Sequence, residues 1–421
     1  MLAILTQAGY NITLDENEAE IAIINTCGFI EDAKKEAIEN IIKTGELKSK
    51  GKLKLLIVTG CLAQRYKDEI TELFPEVDAA VGVFDFDKIA NIIKNAEKGE
   101  KKVYAKSGEL DSFNDMPRLQ VTPFYTAYLK IAEGCSNRCT YCAIPMIRGP
   151  LRSRDKGSLL KEAETLAQNG VKELIVTAQD TTRYGTDLSG KPMLISLLED
   201  LVKIDGIEWI RLHYMYPEMV SDELIDFIAS SEKILDYFDI PIQHINNRIL
   251  KLMNRKSDRA TIEGRINRIR DKIPDAALRT TVMTGFPTET EEEFDELLRF
   301  VKETGFDRLG AFAFSSEEGT GAYRMRGQVP KKIRNSRRDE ILKAQNILIN
   351  KKAKKEKGKI YDVLVEGYHN GYDVYFGRTY KDSVEVDGTV IFESPKKPEP
   401  GDIVRVRITD GEGYDLTGRE I

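Results

Sequence analysis

The stretch "GCSNRCTYC" places three of the chain's five cysteines, Cys135, Cys139 and Cys142, close together. Three residues separate the first two and two separate the last pair. Five cysteines in 421 residues do not make a disulfide framework, and clustered thiols in a reducing compartment point to metal ligation or catalysis. Structural zinc wants four ligands, commonly two separated pairs, and the only histidines, His213, His244 and His369, are all remote in sequence. A ferredoxin-type site uses four thiolates, and no fourth cysteine comes after the three. Three thiolates on a four-iron cube leave one iron without a protein ligand, where a substrate or cofactor can coordinate directly.

Length implies two or three domains, because single cores stop growing well below this size. Hydrophobic residues make up 41% and there is one Trp, values that suit a globular protein. No apolar run approaches the roughly 20 residues of a bilayer span, and "MLAILTQAGY" lacks the basic start and long apolar stretch of a signal peptide. A cytoplasmic location without membrane contact is therefore expected.

Cys135, Cys139, Tyr141 and Cys142 match, position by position, the hallmark of the radical S-adenosylmethionine (SAM) superfamily, and the chain resembles that family here. The resemblance implies a 4Fe-4S cluster on the three cysteines. Its open iron would bind the amino and carboxylate groups of SAM, and one electron from the cube would cleave the sulfonium to a 5'-deoxyadenosyl radical. The sequence around and beyond the cysteines supports a barrel. The short β-rich runs "AYLKI", "ELIVT", "WIRLH", "YFDIPI", "LRTTVM" and "LGAFAF" alternate with amphipathic stretches such as "LLKEAETLAQNG" and "TEEEFDELLRFVKETG". Six βα units imply a parallel sheet with helices outside, an incomplete (β/α)6 barrel whose active groups gather at the carboxyl ends of the strands. Candidates there are Gln179, Asp180 and Thr181 after the second strand, Gln243 after the fourth, and Gly285, Pro287 and Glu289 after the fifth. By the resemblance, Tyr141, Gln179, Gln243, Gly285 and Glu289 are expected to contact SAM. Without it, Gln243 is a barrel-mouth hydrogen bond and Glu289 a favourable charge at the next helix's N-terminus.

Cys27 follows "AEIAIINT" and Cys61 follows "LKLLIVTG", each a buried-looking strand run with a helical segment behind it. Parallel strands ending in thiols place both along one edge of a small α/β domain. Inert buried cysteines are the bland alternative. "NTCGFIEDAKKEAIENI" and "VTGCLAQRY", with the SAM cysteines, resemble the methylthiotransferases, which carry a second cluster on three N-terminal cysteines. Cys27 and Cys61 match the second and third. The first normally lies in an opening strand that this sequence lacks, so either the true start lies upstream, which is the expectation, or a ligand is missing and the second cluster is incomplete in this chain. Two 4Fe-4S clusters and SAM are the implied cofactors.

The expected domains are 1–110, an N-terminal methylthiotransferase domain; 121–355, the radical SAM domain; and 356–421, a small antiparallel barrel resembling the TRAM domain of these enzymes. Ile360 to Ile421 carry thirteen acidic and seven basic residues, net −6, which equals the formal charge of the whole chain. Such a barrel is poorly suited to a phosphate backbone and suits a basic protein. "FDIPIQH", "VTAQDTTRYG" and "LGAFAFSSEEGT" resemble the branch that methylthiolates the β-carbon of an aspartate in the twelfth small-subunit ribosomal protein. That protein or the small subunit, an electron donor and a sulfur source are the expected partners of a monomer. The basic run Tyr323 to Lys359, read as a long exposed helix, is in the bland reading a solvated face and in the sharper one a contact with ribosomal RNA near the target. Methylthiolation of adenosine in transfer RNA is the alternative within the family. A non-catalytic, metal-stabilised RNA-binding protein is the alternative of another class.

Overall fold

The computed structural model describes residues 1–108, 113–114 and 117–421, so the boundary expected at residue 110 lies outside the described residues. Two compact units result. One combines Met1–Val121, Glu133–Ser158 and Ser315–Arg324; the other combines Thr122–Ala132, Leu159–Phe314 and Met325–Ile421.

The first unit is built on a parallel sheet of four strands among the described residues, β1 (Ile21–Thr26), β2 (Leu55–Gly60), β3 (Ala79–Val81) and β4 (Lys102–Tyr104), in that order. Strand side chains alternate between faces, and the apolar run "LLIVTG" serves both. Leu55 and Ile57 pack with Ile89, Ile92 and Ile93 on one side. Leu56 and Val58 pack with Ile41, Leu62 and Ala63 on the other. Helices therefore cover both faces, as the two strand runs predict.

In the second unit all six predicted barrel strands form: β5 (Thr126–Lys130), β6 (Glu173–Thr177), β7 (Trp209–Leu212), β8 (Tyr237–Asp239), β9 (Ala277–Thr284) and β10 (Arg308–Ala313). They pair in parallel as β5-β6-β7 and β8-β9-β10. The bridge Ile210–Ile234 and the bonds Ile210 N to Lys233 O (2.7 Å) and Leu235 N to Ile210 O (2.9 Å) carry the arc across the seam. The helix Glu291–Thr304 starts on a capping box of Thr290 and Glu293 and stops at left-handed Gly305, as its sequence predicts.

The C-terminal strands β11 (Ile360–His369), β12 (Val374–Arg378), β13 (Val390–Glu393), β14 (Ile403–Glu412) and β15 (Asp415–Glu420) close into a barrel in the order β11-β12-β13-β15-β14. One correction concerns its pairing: β13 and β15 run parallel. A closed ring of five strands cannot alternate direction all the way round, so one neighbouring pair must be parallel.

A second correction concerns the helix Lys331–Lys355, which is not simply exposed. Arg337, Ile341, Ala344, Gln345, Ile349 and Ala353 are buried along one face. Two polar members hide that stripe in the sequence: Arg337 pairs with Glu289 at 2.8 Å, and Gln345 Nε2 donates to Phe306 O at 3.1 Å.

The small barrel docks on the amino ends of the strands. Tyr125, Trp209, Tyr237 and Ala277, each at or just before a strand start, form one apolar cluster with Leu364. At the centre Glu173, the first residue of β6 and fully buried, meets Arg211 Nε at 2.7 Å and Arg378 Nη2 at 2.5 Å. Burial works to raise the Glu173 pKa, and the two guanidiniums outweigh it and hold it at about 2. The loop after β12 runs into the barrel: Asp382 pairs with Arg308, Ser383 Oγ meets His213 Nε2 at 2.9 Å, and Tyr237 Oη donates to Asp387 at 2.7 Å. Asp382 and Asp387 thus spend their charge inside the molecule, so part of the −6 counted for this barrel is not available to a partner.

Glu173→Gln leaves buried Arg211 without its counter-charge and Arg378 with Glu366 alone, and is expected to cost about 3–5 kcal/mol, read as a lower urea midpoint. His213, lowered by burial and then by Arg211 and Arg279 to about 3 from 6.5, stays neutral in the fold. Its contribution is present above pH 6.5 and is lost as pH falls toward 3, and that of Glu173 is lost between 4.5 and about 2. Urea titrations from pH 7 to 4 should show falling stability, with a shallower slope in His213→Gln.

Candidate functional site

The cysteine loop is closed at its neck by backbone. Cys135 N donates to Gly149 O at 3.1 Å, Leu151 N donates to Ser136 Oγ at 3.1 Å, and Cys142 N donates to Cys139 O at 3.0 Å. Gly134 sits at φ 77°, and a Cβ there would lie 2.2 Å from Pro150 O, so only glycine allows the two sides to meet. Arg138 is also left-handed, φ 54°, a strain of the kind that clusters at functional loops. Cys135 and Cys139 are buried and Cys142 half-buried beside half-buried Tyr141.

Cys27 and Cys61 each follow the last residue of a strand, and those residues, Thr26 and Gly60, are partners in the β1–β2 ladder. Gly60 has φ 99°, and a Cβ would lie 2.5 Å from Thr26 O, so the two strand ends approach only because the residue before Cys61 is glycine. Cys27 is exposed and Cys61 buried. No cysteine is in a disulfide.

All five cysteines belong to the same compact unit. Cys61 packs with Ala143 and Ile147, one and five residues after Cys142 in the chain. Arg148 closes the contact: Nη2 donates to Cys61 Sγ at 3.2 Å while Nη1 donates to both Glu133 oxygens at 2.9 Å. The segment Ser315–Arg324 joins from far along the sequence. Glu317, 2% exposed, pairs with Lys34 at 2.7 Å and Arg65 at 2.8 Å; Arg65 also donates to Gly28 O, beside Cys27, at 2.8 Å. Ala322 N donates to Thr140 O at 2.8 Å within the cysteine loop. Sequence reasoning misses Arg148, Arg65 and Glu317. "RGP" after the cysteines was the one available signal, since a basic residue before a glycine turn is placed at the loop neck.

In the second unit the other candidates lie past the carboxyl ends of β6, β8 and β9, opposite the docked small barrel. Gln179 presents a buried Oε1 with no hydrogen-bond partner among the described residues, an acceptor that suits a cofactor donor. Its neighbours differ: Asp180 accepts from Thr182 Oγ1 at 2.5 Å, and Thr181 Oγ1 donates to His213 O at 2.8 Å, so both support the loop. Gln243 is left-handed at φ 68°, held by Gln243 N to Thr281 O (2.9 Å) and Met283 N to Gln243 O (2.7 Å). The Glu289 carboxylate is engaged twice over. It takes the Gly285 N–H at 2.9 and 3.0 Å and pairs with Arg337, while Thr290 caps the next helix. It positions Gly285 and leaves the helix terminus to Thr290.

Among the described residues no three His, Cys, Asp or Glu side chains already stand as a metal site. Fit therefore rests on the donor chemistry: two buried thiols and a half-buried one on a closed, strained loop suit a soft-metal cluster with an open position.

Three family models match in succession: "Uncharacterized protein family UPF0004" over residues 1–82, "Radical SAM superfamily" over 129–301 and "TRAM domain" over 358–421. The ribosomal protein uS12 methylthiotransferase RimO of Thermoanaerobacter sp. (strain X514) is 50% identical over 99% of this chain and 95% of its own length. That of Clostridioides difficile (strain 630) is 50% identical over 99% and 94%. The chain belongs to the RimO family. The radical SAM methyltransferase TsrM from Kitasatospora setae, 14% identical, aligns with a TM-score of 0.55 over 71% of this chain and 65% of that one, a likeness of fold. Family membership makes the chain a radical SAM transferase that uses SAM and a 4Fe-4S cluster.

Gly134→Ala should break the loop neck. Iron bound after anaerobic reconstitution is expected to fall by more than half, while far-UV circular dichroism stays unchanged because the β5–β10 arc lies in the other unit.

Proposed function

We propose that this chain adds a methylthio group to the β-carbon of an aspartate in ribosomal protein uS12. The observation that carries the reading is 50% identity to uS12 methylthiotransferases along 99% of the chain, all three matched segments included. Cys135, Cys139 and Cys142 hold the cluster that binds SAM, and Cys27 and Cys61 hold a second one with a further ligand. When bound, the first cluster supplies the single electron that breaks the SAM sulfonium bond. Gln179 orients the cofactor through its open acceptor, Gln243 through its fixed left-handed backbone, and Gly285 through a close approach that Glu289 maintains; Tyr141, half-buried beside Cys142, contacts SAM from the cysteine loop. An electron donor and a sulfur source come from outside the chain. The reducing cytoplasm suits the exposed Cys27 thiol.

Glu385, Glu393, Glu399, Asp410 and Glu412 remain on the surface of the small barrel, where they favour a basic protein over a phosphate backbone. Exposed Lys351, Lys354, Lys355 and Lys357 offer ribosomal RNA a contact near the target. No described helix is long and apolar enough to cross a membrane.

Mass spectrometry of a deletion strain decides the substrate: methylthio-aspartate should vanish from uS12 and methylthio-adenosine persist in transfer RNA. The reverse result would transfer the activity to transfer RNA. In vitro, Cys139→Ala should abolish 5'-deoxyadenosine formation, whereas Cys61→Ala should leave it measurable and stop sulfur insertion. Asp410→Lys with Glu412→Lys should slow uS12 modification several-fold at low salt and less at high salt, with SAM cleavage unchanged. Faster modification in that variant would favour an RNA-docking barrel.

A further inference from the structure

One guanidinium joins the two groups of cysteines. Arg148 is the last residue of the helix Ile144–Arg148, and its two Nη atoms serve different partners, Cys61 Sγ at 3.2 Å and the Glu133 carboxylate at 2.9 Å. A guanidinium is planar with donors in a rigid fork, so the sulfur and the carboxylate are held at a set separation. Both anchors reach the neck of the cysteine loop. Glu133 precedes Gly134 and Cys135, and Gly149, directly after Arg148, accepts the Cys135 N–H. The pair is sheltered, with Arg148 24% and Glu133 13% exposed, so solvent and salt weaken it less than a surface pair. A surface-type ion pair with Glu133 would account for Nη1; it leaves Nη2 on the sulfur unexplained.

Hydrogen bonds to ligand sulfurs and nearby charge are among the levers that set an iron-sulfur reduction potential. A cation at a ligand sulfur stabilises the more negative, reduced state. We infer that Arg148 is a positioning residue that holds the Cys61 sulfur against the SAM-cluster loop and raises the reduction potential of the cluster bound by Cys61. The inference rests on the assignment of Cys27 and Cys61 to a second cluster.

The test uses the full chain with Cys135, Cys139 and Cys142 all changed to Ala, reconstituted anaerobically with excess small-molecule thiol to stand in for the further ligand, so that only the second cluster contributes. Iron is measured first, then the midpoint potential by redox titration monitored by electron paramagnetic resonance. In that background Arg148→Met keeps the aliphatic stem and removes the fork; iron should be retained and the midpoint should move negative. Arg148→Lys, with a charge but no fork, should recover part of the shift, which a packing role would not produce. Glu133→Gln should move the midpoint in the opposite direction, because it leaves the cation and removes its counter-charge. This variant decides the matter if Arg148→Met loses iron, and a zero or negative shift in it overturns the inference. An unchanged midpoint in Arg148→Met with iron retained also overturns the inference and leaves the cluster assignment standing. No iron in the parent triple variant overturns the second cluster and the inference together.

Discussion

Glu173 is a fully buried carboxylate at the start of a barrel strand, and the second unit is organised around it. Its partners Arg211 and Arg378 are themselves almost fully buried, and they come from the neighbouring strand and from the C-terminal barrel. A buried ion pair seldom adds much net stability over an apolar replacement, but removing one member strands the others. The triad therefore acts mainly as a register: the C-terminal barrel docks only where Arg378 reaches Glu173. Leu364, Ser383 and Asp387 then find their partners without further choice.

Closing the amino ends of the strands in this way has a functional consequence. Inward-facing groups there are consumed by structure, and the loop after β12 reaches through to His213, just past the carboxyl end of β7, which burial and its arginine neighbours keep neutral. The Gln179 oxygen, still without a partner among the described residues, lies past the carboxyl end of β6. Left-handed Gln243 belongs to the same end, where backbone strain is held by pairing with β9. One mouth of the barrel is thus structural and the other is left for chemistry, the usual division in parallel barrels.

The first unit obeys a different constraint, close backbone approach. Gly60 and Gly134 bring chain segments together where any Cβ would collide. Each of these glycines immediately precedes a cysteine. The thiols are thereby carried on turns whose shape is set by the backbone, and Arg148, Arg65 and Glu317 hold those turns to one another through charged hydrogen bonds.

Much of this was readable from the residues in order. Strand runs such as "LLIVTG" and "ELIVT" and the capping signature "TEEE" act over a few neighbours, so periodicity and local hydrogen bonding suffice to recognise them. The three-and-two cysteine spacing likewise predicts an incomplete ligand set by its own chemistry. Where charged side chains end up was not readable, because burial depends on residues hundreds of positions away. Asp382 reads as a turn aspartate and Arg337 as part of a basic helix, yet each is buried against a partner from another element. Glu317 reads as loop, yet it anchors the turn that carries Cys27. Sequence alone determined the elements, the cofactor class and the family; only the tertiary structure decided which charges face solvent and which hold the molecule together, since a charge is kept in a core only by a partner that folding must first deliver.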